Sequence, residues 1–407
     1  MTGTGPWAWI LPGLFLFVLP LEEFPKNLLA AAFIAIWATQ AVLRRDAGGA
    51  WDRFDTAFAA VTASAVLSAF IGGYAGDLSG AFRVLAVAWV AKRCRWTEPV
   101  QHGLLLAACA GLAVAIVAGA VPFFTGRATY LELPSVGHVN QSALYIAVLA
   151  SAALGWSMQR AASPWRRRAA LVAALGFGIA LFITGSRAAI LAYGVFVGGA
   201  LLAVGIEAGA SQARRLAIAS ALSLAMGAAL VVTIGVVAPK LSGSKLQPSA
   251  WTNSESVDRR VQHWQLAFDA WQEKPWFGWG PEAFQRIDPE QVCKWRLQRS
   301  EPCDMDRYFT APHAHSLYVS TLVERGIVGV LALATLLGAW LWELVRRSRE
   351  ALRSPMWMAS AAAFAVTAVG GLFNTTLRVE HGSLALLLLA LWLAQAPPGA
   401  GLRRPGA

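Results

Sequence analysis

The chain has 407 residues, of which 57% are hydrophobic and only 14% are charged, and its mean hydropathy is +0.51. About a quarter of the residues in a soluble domain are charged, so this composition excludes an ordinary soluble protein and indicates repeated membrane spans. The net charge of +11 could indicate nucleic-acid binding, but in a membrane protein a basic balance usually reflects Lys and Arg in the cytoplasmic loops.

Apolar runs long enough to cross a bilayer recur along the chain. We expect the first run to be retained, because it lacks the long basic start and small-residue cleavage site of a signal peptide. The predicted spans cover about residues 1–24, 27–43, 54–72, 81–91, 100–124, 142–158, 169–184, 188–206, 216–238, 317–345, 356–372 and 383–395.

The basic residues follow every second predicted span. Counting from a cytoplasmic N-terminus puts all of these clusters on one side of the membrane, as the positive-inside rule requires. Span count and charge placement therefore agree on an all-α protein with twelve transmembrane helices and both termini in the cytoplasm. The clusters lie at Arg44, Lys92, Arg166, Arg214, Arg346 and Arg403.

A long polar stretch, residues 239–315, separates the ninth predicted span from the tenth. A loop of this length is uncommon and is usually functional. The predicted topology places it outside the cytoplasm. We therefore divide the chain into residues 1–238 with nine spans, the large loop, and residues 316–407 with three spans and a cytoplasmic tail.

Arg187 lies in a turn of three residues, GSR, between two predicted spans. Ionisable groups at membrane depth are costly and usually functional. A planar, permanently charged guanidinium is suited to bind phosphate. An interfacial arginine can equally extend toward lipid headgroups, so position alone leaves both interpretations open.

The loop contains a predicted amphipathic helix, VDRRVQHWQLAFDAWQ. Its apolar stripe could lie in the membrane interface, or the helix could be a cover packed on the bundle with its charges in solvent. Arg259, Arg260 and His263 lie off that stripe. Helical spacing assigns to the stripe Val257, Val261, Trp264, Phe268 and Trp271.

His313 and His315 precede the tenth predicted span. A histidine at the end of a span often has a structural role, but an imidazole beside phosphate-binding arginines could also transfer protons. Both interpretations stay open. The glycines of the following ERGIVGV, Gly326 and Gly329, have a spacing that permits close helix approach and does not require a phosphate-binding loop.

Two of the four cysteines, Cys293 and Cys303, lie in the predicted outer loop. An oxidising compartment would favour a disulfide between them, the alternative being two free thiols. The sequence has no Cys/His spacing of a zinc site and no acidic DxD cluster, so we expect a mechanism that needs neither a metal nor another cofactor.

At these residues the chain resembles a known family. His315-Ser316, nine further residues and then GIVGV at residues 326–330 fit the pattern H[NSQ]-x9-GxxG-[TV], which resembles the signature of bacterial O-antigen ligases. TGSRAA around Arg187 resembles the short serine-arginine turn of that family.

The resemblance extends over residues 137–331. Arg260 with Trp264 four positions later, followed by KPWFGWGPEAF, resembles the large periplasmic loop of these ligases. GHVNQSA around Asn140 resembles a weaker element before a middle span. The predicted topology fits the remainder of the chain.

The resemblance implies a multi-pass enzyme of the inner membrane with GT-C-like architecture, a periplasmic active site and inverting chemistry. The donor would be O-antigen polysaccharide on undecaprenyl pyrophosphate, and the acceptor a sugar hydroxyl of lipid A-core. Arg187 and Arg260 would bind the diphosphate and stabilise the leaving group, and His315 would be the general base. Further substrate-binding candidates on the same face are Arg259, His313, Asn140 and Arg378.

Other functions remain open at this stage. An O-antigen polymerase and a protein O-oligosaccharyltransferase share the arginines and the loop, although the short C-terminal tail argues against the latter. A transporter or flippase is the remaining class. Against it, no charged residue is predicted in the middle of a span and no inverted repeat is evident.

Overall fold

The computed structural model describes residues 7–76, 78–159, 162–208, 214, 255–308, 313–351 and 353–394. These residues form α-helices and short 3-10 turns without β-strands, which confirms the all-α prediction. Five described helices are long and apolar enough to cross a membrane, as a multi-pass membrane protein requires. The predicted ninth span, residues 216–238, and the start of the large loop, residues 239–254, lie outside the described residues.

The described α-helices are numbered here in chain order. They are α1 (Trp7–Val18), α2 (Glu23–Arg44), α3 (Arg53–Gly72), α4 (Leu78–Arg93), α5 (Glu98–Phe124), α6 (Val139–Ser157), α7 (Pro164–Ile183), α8 (Arg187–Ala208), α9 (Glu255–Glu273), α10 (Pro289–Gln298), α11 (Leu317–Arg346), α12 (Pro355–Gly370) and α13 (Val379–Leu393).

Helix α6 lies at the centre of the bundle. Nearly all of its side chains are buried, because α7, α8 and α12 pack around it. Small residues allow close packing: a Cβ atom on Gly155 would lie 2.6 Å from the Cβ of Met358 in α12. At about 1.5 Å per residue, α6 is long enough to carry the chain from one end of the bundle to the other.

Buried ion pairs join the helices at the end of the bundle where the predicted basic clusters lie. The carboxylate of Asp55, at the start of α3, lies 2.8 Å from Lys92 Nζ and 2.8 Å from an Arg93 guanidinium nitrogen at the end of α4. Glu343, at the end of α11, binds Arg53 and Arg346. Breaking one partner of such a buried pair leaves an uncompensated charge, which is strongly destabilising.

The opposite end has its own buried cation, Lys26 near the start of α2. Its ammonium group binds Glu380 of α13 and Glu23, and lies 2.7 Å from the hydroxyl of Ser135 in the loop after α5. These contacts tie the α5–α6 loop and the start of α13 to the bundle. The ends of the bundle are thus fixed by separate polar networks.

The described part of the large loop folds around a small hydrophobic core of its own. Asp269 of α9 accepts hydrogen bonds from Arg296 of α10 at 2.9 Å and from the hydroxyl of Tyr308 at 2.6 Å. Cys293 and Cys303 form a disulfide with a Cα–Cα distance of 5.3 Å, as the sequence suggested for an oxidising compartment. The core side chains are Leu266, Ala267, Ala270, Phe284, Ile287, Val292, Cys293, Tyr308, Ala314 and Val323.

Helix α9 is present as predicted, and its predicted stripe meets two different surroundings. Val261 and Phe268 are 46% and 43% exposed, as the membrane-interface alternative requires. Trp264 and Trp271 pack instead against the loop core, beside the fully buried Leu266 and Ala270. The exposed apolar side chains therefore face away from that core.

Helix α11, predicted as one uninterrupted span, is broken at Gly326, whose φ is +63° and ψ −163°. The loop segment 275–280 enters the break and pairs with both sides of it. Trp279 N–H donates to Val323 O at 3.0 Å, and Ile327 N–H donates to Pro275 O at 2.9 Å. The break therefore leaves few unpaired backbone groups.

The glycine of this break serves a different purpose from the predicted one. A Cβ atom on Gly326 would lie 2.3 Å from the backbone of Trp276, and one on Gly278 would lie 2.5 Å from the backbone of Glu324. The spacing predicted that another helix approaches closely at Gly326, and this was wrong. The backbone of the loop segment, not a helix, lies against this glycine. The loop and α11 thereby become one structural unit.

Candidate active site

The starts of α6, α11 and α13 lie together at the end of the bundle that carries Lys26. Gln141, on the first turn of α6, donates from Nε2 to the carbonyl of Thr375 at 3.0 Å. The backbone N–H of Leu317, which opens α11, donates to Gly371 O at 2.8 Å. Because helix N-termini carry partial positive charge, this end of the bundle favours anions.

Three histidines meet at this end. The ring centroids of His313 and His315 are 4.6 Å apart, and those of His263 and His315 are 5.4 Å apart. His315 has a φ of +50°, an uncommon conformation for a residue with a side chain. The backbone thus turns sharply at His315, immediately before α11 begins.

The surroundings keep these imidazoles uncharged. Burial first, and then charge on His313, His263, Arg260 and His138, together lower the pKa of His315 to about 3. Burial and the nearby charge of Arg378 lower the pKa of His313 to about 4. At neutral pH both rings are therefore free bases that can accept a proton.

Two arginines that are far apart in sequence lie near each other beside this cluster. Arg187 is the first residue of α8 and is exposed, while Arg260 on α9 is half-buried. The pKa of Arg260 is lowered by burial and then by the charge of Arg187. Arg259, the neighbour of Arg260, is exposed.

Arg378, at the N-cap of α13, is held by carboxylates. Its guanidinium nitrogens lie 3.1 Å from Glu324 and 3.8 Å from Glu282. Glu324 is the residue two positions before the break in α11, so Arg378 connects α13 to the loop–helix unit. Its charge is partly offset by these acids.

Asn140 lies on the first turn of α6 and its backbone N–H donates to His138 Nδ1 at 3.2 Å. His138 is exposed, and its charge lowers the pKa of both His313 and His315. The α6 start therefore faces the histidine cluster. Asn140 itself is half-buried beside His138.

The loop helix holds the histidine segment in place. The indole Nε1 of Trp264 donates to the carbonyl of Ala314 at 2.9 Å, between the two histidines. On the other side, the hydroxyl of Ser316 accepts from Val319 N–H at 3.4 Å and caps α11. Such contacts fix the direction of the His315 side chain between the loop and the bundle.

Sequence reasoning missed His263 and His138 as members of this cluster. His263 was noted only as lying off the apolar stripe, yet it is buried and its ring faces His315. One signal was available: His263 lies three residues after Arg260, on the same side of a helix. His138 precedes Asn140 by two residues, in the element already singled out. Among the described residues, no group of three or more His, Cys, Asp or Glu is placed to hold a metal ion.

The comparison with protein families places these residues in context. Residues 169–334 match a family model described as O-Antigen ligase. The matched segment contains Arg187, Arg260, His263 and His315, whereas Arg378 lies beyond it. A comparison with curated proteins found no match.

Proposed function

We infer from the match over residues 169–334 that this chain is a member of the O-antigen ligase family. On that premise we propose that it transfers O-antigen polysaccharide from undecaprenyl pyrophosphate to a sugar hydroxyl of lipid A-core. The observation that carries this proposal is the meeting of Arg187 and Arg260 beside uncharged His315. The combination offers a site for a pyrophosphate next to a base for a hydroxyl.

The two arginines would bind the pyrophosphate of the donor. The pKa of Arg260 is lowered by burial first and by the charge of Arg187 second, so the two like charges repel each other. A bound dianion relieves that repulsion, and it gains strength when charge accumulates on the leaving group. Arg260 is favoured over Arg259 for this role because it is the more buried of the two.

His315 would take the proton of the acceptor hydroxyl. The acceptor oxygen attacks the anomeric carbon while the bond from that carbon to the pyrophosphate oxygen breaks. The electron pair leaves with the lipid pyrophosphate, and the proton moves to the His315 imidazole. One displacement of this kind inverts the anomeric centre and needs no metal and no protein nucleophile.

His313 and His263 would act through His315, and Arg378 would act on His313. With burial, they keep the imidazoles uncharged before the donor binds, and the negative pyrophosphate would then raise the pKa of His315 toward that of an effective base. Asn140 lies at the α6 start, where an acceptor sugar would meet polar backbone groups. These residues are positioning or binding groups in the proposal.

The membrane arrangement follows from the ends of the helices. Arg44, Lys92, Arg166 and Arg346 lie at helix ends opposite the site, and by the positive-inside rule we infer that the site faces the periplasm from the inner membrane. The donor's polyprenyl tail can then remain in lipid while its pyrophosphate lies at the interface. The exposed Val261 and Phe268 of α9 would contact the same interface.

The test is complementation of a Gram-negative strain that lacks its own ligase but makes donor and acceptor. Because a ligase can require its own core sugars, the host should be the source organism or a near relative. Wild type, His315→Ala and the exposed control Lys294→Ala are compared on a lipopolysaccharide gel, with membrane levels of each protein measured.

A ladder on lipid A-core with wild type and Lys294→Ala, absent with His315→Ala, is the expected result. Longer chains on the lipid carrier without a ladder would identify a polymerase instead. If a correctly inserted wild-type protein changes neither product, glycan transfer is ruled out as its activity in that host.

A further inference from the structure

A cavity lies at the end of the bundle opposite the candidate active site. It has a volume of about 470 Å³ and is enclosed by the start of α5, the end of α6, the start of α7 and the residues that precede α12. The four-residue link between α4 and α5 places it at the same end as the basic Lys92 and Arg93. It is therefore separate from the histidine cluster.

The lining of this cavity has an apolar part and a cationic mouth. Leu106, Cys109 and Ala173 belong to the apolar part, although Leu106 is 57% exposed, and the exposed Arg166 and Arg353 form the mouth. The lining runs along α5 from Glu98 to Cys109, which corresponds to about 16 Å of helix. A free inorganic anion would use only the mouth, whereas an acyl chain attached to an anion would use the full length.

The buried Gln159 supplies an unused hydrogen-bond acceptor in the cavity wall. Its Nε2 donates to the carbonyls of Gly155 at 3.2 Å and Ala351 at 3.1 Å, which fixes the orientation of the amide. Its Oε1 is buried and has no hydrogen-bond partner among the described residues. The side chain is only 2% exposed, so its acceptor oxygen is suited to a donor group bound in the cavity.

One acidic residue, Glu98, is found in the lining of the cavity. The Glu98 carboxylate lies 3.7 Å from His102 Nε2, and the His102 ring packs against Trp156 with centroids 5.4 Å apart. The arginines at the mouth therefore outweigh it in charge. Trp165, 66% exposed at the rim, has the position that tryptophan favours at a membrane interface.

We propose that this cavity binds one anionic phospholipid, with its phosphate held by Arg166 and Arg353, a headgroup hydroxyl donating to Gln159, and an acyl chain along α5. The guanidinium groups match phosphate by charge and fork geometry. The apolar interior matches the chain. This inference does not depend on the reaction catalysed at the other end of the bundle.

The test measures lipid retained by the full-length protein. The proteins are purified in detergent, stripped of bound lipid and titrated with phosphatidylglycerol or phosphatidylcholine. They are wild type, the double variant Arg166→Ala/Arg353→Ala, Ala173→Phe and the control Arg168→Ala. Native mass spectrometry counts the bound lipid, and thermal unfolding reports stabilisation. Arg168 is exposed on α7 and does not line the cavity. Inorganic phosphate alone is a further titrant.

Wild type and Arg168→Ala should retain one phosphatidylglycerol and bind phosphatidylcholine less well. The double arginine variant should bind phosphatidylglycerol at least about tenfold more weakly, because both charge-assisted contacts to the phosphate are lost. Ala173→Phe, which fills the interior but keeps both arginines, should lose the lipid too. Unchanged binding in both variants would overturn the proposal, as would stabilisation by inorganic phosphate equal to that by the lipid.

Discussion

The indole nitrogen of Trp264 donates a hydrogen bond of 2.9 Å to the carbonyl of Ala314, so the loop helix α9 holds the backbone between His313 and His315. This contact couples the position of the proposed base to a helix fifty residues earlier in the chain. Disturbing it should move His315 without removing any group from the reaction.

Trp264→Phe should keep most of the packing and lose this hydrogen bond. We expect a stability loss of about 1 kcal/mol and a larger fall in transfer rate, because a base must stay within hydrogen-bond reach of the acceptor. Transfer rates and thermal unfolding are measured together, with the exposed Trp276→Phe as control. Equal activity of the two variants would show that the contact does not position His315.

Gly326→Ala should destabilise the protein. The added Cβ would meet the Trp276 backbone at 2.3 Å, and φ is +63° at this position, so both sterics and backbone strain oppose the change. A cost on the order of 2 kcal/mol or more is expected. Gly338→Ala, on the same helix with open space around it, should be neutral or slightly stabilising. Similar unfolding midpoints for both variants would contradict the loop–helix unit.

Arg187→Lys and Arg260→Lys should each reduce transfer strongly although the charge is kept, because an ammonium cannot bind phosphate through two parallel hydrogen bonds. We expect a loss on the order of a hundredfold, comparable to removing one donor from a charge-stabilising site. Arg259→Ala should have a smaller effect than Arg260→Ala. Steady-state rates at several donor concentrations provide the measurement, and full activity of both lysine variants would exclude a bidentate clamp.

The low pKa values of His315 and His313, about 3 and about 4, predict the pH dependence. The acid limb of kcat/KM, which reports the free enzyme, should have its midpoint well below pH 6.5. The acid limb of kcat should have its midpoint at a higher pH, because bound pyrophosphate favours the protonated imidazole. A kcat/KM midpoint near the ordinary histidine value would contradict the uncharged cluster.

Stability should respond to pH through the same histidines. In the unfolded chain they take up protons as the pH falls through 6.5, whereas in the folded protein they stay neutral until about 4 and 3. The unfolded state then binds more protons, so the free energy of unfolding decreases as the pH falls between these values. His315→Gln should weaken this decrease in thermal unfolding experiments across pH 4–8.

Reduction of the Cys293–Cys303 disulfide should loosen the loop core. Closing a loop of this length, with a sequence separation of 10, stabilises a fold by about 3 kcal/mol in the chain-entropy account. The unfolding midpoint of wild type should therefore drop in reductant, and that of Cys293→Ser/Cys303→Ser should start low and stay unchanged. If reductant lowered the unfolding midpoint of wild type and of the double serine variant equally, the stability loss would come from a group other than this disulfide.

The sequence allowed the helical class to be predicted because apolar length and basic placement are local properties. It also placed Arg187, Arg260 and His315 at one end of the bundle through topology. The break at Gly326 could not be predicted in this way, since the apolar pattern of α11 continues through it and the cause is a loop segment fifty residues upstream. The loop core on which α9 packs was not predicted, because its other members, such as Phe284 and Val292, come from segments that only the folded loop brings to this helix.

The burial of α6 has a consequence for how the protein is made. Its most apolar window has a mean hydropathy of 1.2 and is 89% buried, whereas that of the preceding α5 reaches 2.6. A segment of such modest hydropathy partitions weakly into lipid by itself. During synthesis α6 should therefore insert into the bilayer together with α5 and α7. Mutations that delay the insertion of those two helices should leave α6 outside the bilayer.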